Sequence, residues 1–155
     1  MDKLYGYAGK IARINLKDSS VETVPITDYI PKYLGGRSVA HKIFWDEVPP
    51  GVKAFDPENK LIFMTGPSTG TGIPTGGRNV FTGIAPNSLP EQYAWSGLGG
   101  WFGAELKFAG YDGFILEGKA PKHTYLLIED SRISFLDADE AGLWGLYVHE
   151  SQQRL

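Results

Sequence analysis

Apolar and polar residues alternate from Lys10 through Leu16, with Ile11, Ile14 and Leu16 set among Lys10, Arg13 and Asn15. That is the period of a half-buried strand. Lys17-Asp18-Ser19-Ser20 supplies turn chemistry, and Val21 to Ile26 returns as a second strand. Thr27 is placed to cap a short helix running to Leu34, stopped by Gly35-Gly36. Ser38 is placed to cap another, with Val39, Ile43, Phe44 and Val48 on its apolar side and Pro49-Pro50 ending it. Lys60 to Thr65 and Asn79 to Ile84 read as buried strands, and Gly100 to Ala109 as a short helix. Tyr111–Gly118, Thr124–Glu129 and Arg132–Leu136 read as three strands, the last two joined by an Asp130-Ser131 turn. From about Asp139 the pattern turns helical again.

Helices and strands are mixed without a regular strand–helix–strand beat, and the strands cluster as hairpins. This favours an α+β fold with antiparallel sheets over a doubly wound parallel sheet. The 155 residues suit one domain with a sizeable core. Residues 150–155 read as the start of an amphipathic helix and not a natural stop, so the expectation is a single domain, 1–155, that is a fragment of a longer chain.

Composition adds one anomaly. Glycine supplies 20 of 155 residues, well above a usual ~7%. Twelve of them fall in the 48 residues from Gly66 to Gly113, among aromatics that flexible linkers rarely carry. Such a stretch is better read as folded backbone that turns tightly or approaches something closely. The chain has no cysteine, which excludes disulfides, thiolate-bound zinc and an iron–sulfur cluster on its own thiolates. A net charge of −3 with signs interspersed argues against nucleic-acid and anionic-membrane partners. With no apolar leader and no long apolar run, the expected location is the cytoplasm.

Standard site motifs are absent. No GxxxxGK phosphate loop is present, and the run Gly97-Leu98-Gly99-Gly100-Trp101-Phe102-Gly103 has Phe where a dinucleotide fingerprint needs its third glycine, with no strong strand expected before it. His41, His123 and His149 lack metal-ligand spacing, and neither Ser68 nor Ser96 forms GxSxG. What remains is the loop Thr65-Gly66-Pro67-Ser68-Thr69-Gly70-Thr71-Gly72, followed by Pro74-Thr75-Gly76-Gly77-Arg78. It offers main-chain N–H groups, hydroxyls and one guanidinium, a set able to hold a phosphate or a polar heterocycle. The same composition also suits a structural loop bearing a surface arginine.

Three segments, taken in order, carry a resemblance. They are Asp56-Pro57-Glu58-Asn59-Lys60-Leu61-Ile62-Phe63, then Thr65-Gly66-Pro67 through Gly77-Arg78, and Gly99-Gly100-Trp101-Phe102-Gly103-Ala104-Glu105-Leu106-Lys107-Phe108-Ala109-Gly110-Tyr111-Asp112. With Leu34-Gly35-Gly36-Arg37 and Glu117-Gly118-Lys119-Ala120 they resemble, nearly end to end, the amino-terminal domain of the aldehyde:ferredoxin oxidoreductase family. The resemblance implies an α+β domain of two mostly antiparallel sheets with short helices, forming the base under a tungsten or molybdenum bis-pyranopterin. It further implies oxidation of aldehydes to carboxylic acids, with electrons passing through a [4Fe–4S] cluster to ferredoxin or another electron-transfer subunit. Magnesium bridging the pterin phosphates belongs to the same picture.

Carried over by position, Arg78 matches the arginine of the family's PTxGR segment that contacts the pterin, with Gly77 before it. Gly97, Gly99 and Gly100 match backbone-approach positions of a small Asn-Ser-Gly-Gly stretch beside the pterin phosphates. Here the chain departs from the pattern, because Trp95 or Gly97 stands where the asparagine falls, depending on the alignment. The missing cysteines imply that any cluster is bound by residues outside this chain, so the 155 residues alone are expected to be inactive and to need the remaining domains of the same enzyme. No catalytic acid, base or metal ligand is assigned here, and self-association through an exposed flank is expected. The alternative is a non-catalytic binding or assembly domain that keeps the fold without cofactor.

Overall fold

The computed structural model describes residues 4–155. Six strands form the main sheet in the order β2-β1-β6-β3-β4-β5, and β7 and β8 form a separate hairpin. Strand β1 (Lys10–Asn15) and β2 (Ser20–Pro25) make the first antiparallel pair, as their alternation predicts. β3 (Lys60–Met64) lies between β6 (Gly113–Glu117) and β4 (Asn79–Ala85), antiparallel to both. β5 (Gln92–Leu98) closes the far edge against β4. One pairing breaks the antiparallel rule: β1 runs parallel to β6, with Ile11 opposite Gly113. The architecture is therefore the expected α+β one, with two mostly antiparallel sheets.

Helix α1 (Gly36–Glu47) packs on one face of the main sheet, over β3 and β4. Val39, Ala40 and Ile43 of the helix meet Ile11, Ile62, Met64 and Ile115, all fully buried. On the opposite face Phe63, Phe114 and Tyr111 cluster with Leu106 of the short helix α2 (Phe102–Phe108) and with apolar residues of the hairpin β7 (Thr124–Glu129)–β8 (Arg132–Asp137). Each large apolar side chain buried this way contributes roughly 1.5–3 kcal/mol before entropy is counted. The chain ends in α3 (Val148–Arg154). No helix among the described residues is long and apolar enough to cross a membrane.

Three expectations are corrected. The helix expected over Thr27–Leu34 is only a 3₁₀ turn at Ile26–Asp28 followed by turns. Pro31 disfavours helical geometry in the residue before it, and Leu34 has a left-handed φ of 57°. Ser38 does not cap α1. The helix begins two residues earlier, where the Gly36 N–H donates to the Thr65 carbonyl at 2.9 Å, and the Ser38 hydroxyl instead donates to the carbonyls of Gly35 and Tyr33. Finally, a seven-residue strand, β5, does precede Gly99-Gly100.

Candidate functional site

The glycine-rich segments from distant parts of the sequence meet where β4 begins and β5 ends. Asn79, fully buried at the start of β4, organises this end of the sheet. Its amide Nδ2 donates to the Gly77 carbonyl at 2.9 Å, and the Thr69 hydroxyl lies 3.1 Å from both Asn79 Oδ1 and the Gly76 carbonyl. Residue 103 has to be glycine in this packing, since a Cβ there would lie 2.3 Å from Asn79 Nδ2. One buried amide thus ties the 66–77 loop to the first turn of α2. The sequence places Asn79 at the start of a buried strand but does not show that its amide is the organising group, because its partners Thr69 and Gly103 are distant in sequence.

The loop is also anchored from behind. Lys107, on α2, donates to the Gly66 carbonyl at 2.7 Å and faces Asp112 at 3.9 Å. The Asp112 carboxylate accepts the N–H groups of Ala8 and Gly9 at 2.9 and 2.7 Å, and the Thr65 hydroxyl donates to the Asp112 carbonyl at 2.7 Å. Burial dominates both charged groups, raising the Asp112 carboxyl and lowering the Lys107 amine despite their mutual attraction. These groups are spent on scaffolding.

Arg78 is different. It is exposed, and it has no hydrogen-bond or ion-pair partner among the described residues. Its guanidinium crosses the position of Gly97, where a Cβ would come within 3.2 Å of Arg78 Nη1 and 3.3 Å of Cδ. The Arg78 side chain therefore reaches over Gly97, whose cross-strand partner is Val80. A Cβ on Gly77 would meet only the Gly100 carbonyl, at 3.5 Å, and Cβ atoms on Gly99 and Gly100 would meet nothing within 4 Å. Gly100 has φ +89°, a conformation that L side chains rarely adopt. All five residues expected from the sequence as cofactor-binding, Gly77, Arg78, Gly97, Gly99 and Gly100, therefore lie together at one end of the β4–β5 pair.

Trp95 lies on the same strand and half exposed, with the Arg37 guanidinium 4.8 Å from its ring centre. Beyond it, Tyr93 packs against Phe44 and His41 of α1. The Tyr93 hydroxyl and His41 Nε2 are buried without a hydrogen-bond partner among the described residues. Burial, with the nearby Arg37 charge, holds the His41 imidazole below its ordinary value. His41 is thus a partly packed residue. Among the described residues, no group of three or more His, Cys, Asp or Glu is placed to hold a metal ion. A metal at this surface would need ligands of another kind.

The family model for the aldehyde ferredoxin oxidoreductase N-terminal domain matches residues 11–155. The chain is 43% identical over 153 residues to the tungsten-containing aldehyde ferredoxin oxidoreductase of Pyrococcus abyssi, covering 98% of this chain and 24% of that protein. It is 34% identical over 147 residues to the aliphatic sulfonate oxidoreductase, WOR-like subunit, of Pyrococcus furiosus, covering 92% and 23%. Among solved structures it matches the active site complex BamBC of benzoyl coenzyme A reductase in complex with 1,5 dienoyl-CoA, with a TM-score of 0.89 and 35% identity over 96% of this chain and 22% of that one. The chain spans about a quarter of the length of these relatives. On sequence and fold alike, the chain belongs to the aldehyde ferredoxin oxidoreductase family and corresponds to its amino-terminal domain.

Proposed function

We propose that this chain is the cofactor-cradling amino-terminal part of a tungsten (or molybdenum) bis-pyranopterin oxidoreductase. The observation that carries this reading is the unpaired Arg78 guanidinium laid over Gly97, beside three further glycines that present bare backbone. A flat heterocycle with phosphate groups fits such a surface. Arg78 offers planar, bidentate donors, and the side-chain-free segment lets the ligand approach main-chain N–H groups. Asn79 and the Lys107–Asp112 pair hold these donors in place before a ligand arrives, which lowers the ordering cost of binding.

When bound, the group would supply the metal centre and its two-electron chemistry, and magnesium would accompany its phosphates. This chain supplies orientation and positive charge. The substrate would be an aldehyde oxidised to a carboxylic acid, with electrons leaving through a [4Fe–4S] cluster bound elsewhere in the protein. The relatives carry names for aldehyde, sulfonate and benzoyl-CoA chemistry over one domain type, so the choice of substrate belongs to the remaining domains.

The test uses the full-length gene product. Tungsten or molybdenum and about two pterins per protomer are expected, and Arg78→Ala should lower pterin content about tenfold while the circular dichroism spectrum stays unchanged. Unchanged pterin content removes Arg78 from the site. A folded full-length protein with neither metal nor pterin would overturn the reading in favour of a non-catalytic binding or assembly domain.

A further inference from the structure

The strand face that presents Gly97 also presents a second unpaired guanidinium. Alternation along β5 places residues 93, 95 and 97 on the α1 side of the sheet, as the contacts of Tyr93 with Phe44 and His41 show. Arg37 reaches Trp95 on this side from the first turn of α1, and Arg78 reaches Gly97. Neighbouring same-face positions on a strand are only about 7 Å apart. Two exposed arginines thus arrive at adjacent places, and neither has a hydrogen-bond or ion-pair partner among the described residues. The first turn of α1 carries no acidic residue either.

The Trp95 ring holds the Arg37 cation over its face, 4.8 Å from the ring centre. That attraction is electrostatic and consumes no hydrogen-bond acceptor, so it can locate the side chain while leaving its N–H donors unpaired. A phosphate monoester carries between about −1.5 and −2 charges near neutral pH, which two guanidinium groups can neutralise with paired N–H···O contacts.

We propose that Arg37, braced on Trp95, is a phosphate-binding residue that forms with Arg78 a two-arginine subsite for the phosphate-ester end of the bound cofactor. This rests on the reading of the β4–β5 end as a cofactor cradle. It adds Arg37 as a binding residue and makes Trp95 a positioning residue. The indole has no phosphate-ligand chemistry of its own and acts through the cation it carries.

The experiment has two readouts in the full-length protein. Inorganic pyrophosphate is titrated calorimetrically into the cofactor-free form, and pterin content is measured in the cofactor-loaded form. Arg37→Ala and Arg37→Gln should each weaken pyrophosphate binding about tenfold, and Trp95→Ala about fivefold. Trp95→Phe, which keeps an aromatic face, should stay within twofold of the parent. Pterin content should fall in the same order. Pyrophosphate affinity that ignores Arg37, in variants with parental circular dichroism, overturns the subsite. Tight pyrophosphate binding through Arg37 with normal pterin content in the variants means that free phosphate is the ligand, and overturns the assignment to the cofactor. If the parent holds no pterin but binds pyrophosphate through Arg37, the cofactor reading falls and the anion subsite stands.

Discussion

The two ends of α1 treat positive charge in opposite ways. At its carboxyl end, Arg13 of β1 forms a two-pronged pair with Glu47 at 2.6 and 2.8 Å, and Lys60 of β3 reaches Glu117 of β6 at 2.5 Å. Cross-contacts at 3.3 Å from Arg13 to Glu117 and from Lys60 to Glu47 close the ring. Two cations there meet two carboxylates in a partly buried cluster. At its amino end, Arg37 and Arg78 meet an indole and a glycine, and no carboxylate pairs with either among the described residues. The same sheet face therefore carries one neutralised pair and one open pair. The chain has more carboxylates than cations, yet the amino-end pair is left without one among the described residues, as the proposed anion subsite requires.

The sharpest way to break this comparison is to remove Glu47. Glu47→Ala leaves Arg13 and Lys60 competing for Glu117, and should cost about 2 kcal/mol, read from urea unfolding. At the open end, Arg78→Ala should change the unfolding free energy of the cofactor-free protein by less than about 0.5 kcal/mol, although it lowers pterin content in the loaded protein. A loss as large as that of Glu47→Ala would mean that Arg78 is structural. Gly97→Ala is a finer probe. Its Cβ must move Arg78 by a few tenths of an ångström, so pterin content should fall about twofold with stability preserved.

The smallest effect is in pH dependence. Burial raises the Glu47 carboxyl, but the Arg13 hydrogen bonds and the Arg13 and Lys60 charges outweigh this and leave it below its ordinary value. A depressed carboxyl contributes stability that is complete above its unfolded pKa, about 4.3, and is lost as pH falls through the lower folded value. The urea midpoint of the parent should therefore fall faster than that of Glu47→Gln below about pH 4.3. Parallel curves would show that the ring contributes nothing to acid sensitivity.

Much of the scaffold was legible because its strands are either regularly alternating or nearly all apolar. Lys10–Asn15 and Lys60–Met64 carry that signal themselves, and the Asp130-Ser131 turn is realised with φ 44° and 68°. β5 was missed because Gln92, Ser96 and Gly97 dilute the apolar signal of an edge strand, and only pairing with β4 defines it. Pro31 disfavours helical geometry at Ile30, and this outweighs the capping signal at Thr27, so only the 3₁₀ turn at Ile26–Asp28 forms. The five cradle residues came from resemblance; their convergence depends on register between β4 and β5, which one sequence does not display. The Arg37–Trp95 contact spans 58 positions and leaves no local trace.

The parallel pairing of β1 with β6 governs how the chain can fold as it is made. Ile11 finds its β6 neighbour only at Gly113, and the N–H groups of Ala8 and Gly9 wait for the carboxylate of Asp112. At about 5–20 residues per second, a ribosome needs several seconds or more to supply the intervening hundred residues. Until then β1 has only β2 beside it, and an isolated two-stranded hairpin is marginal in water. The amino terminus of this domain is thus the first part synthesised and among the last to be locked in place.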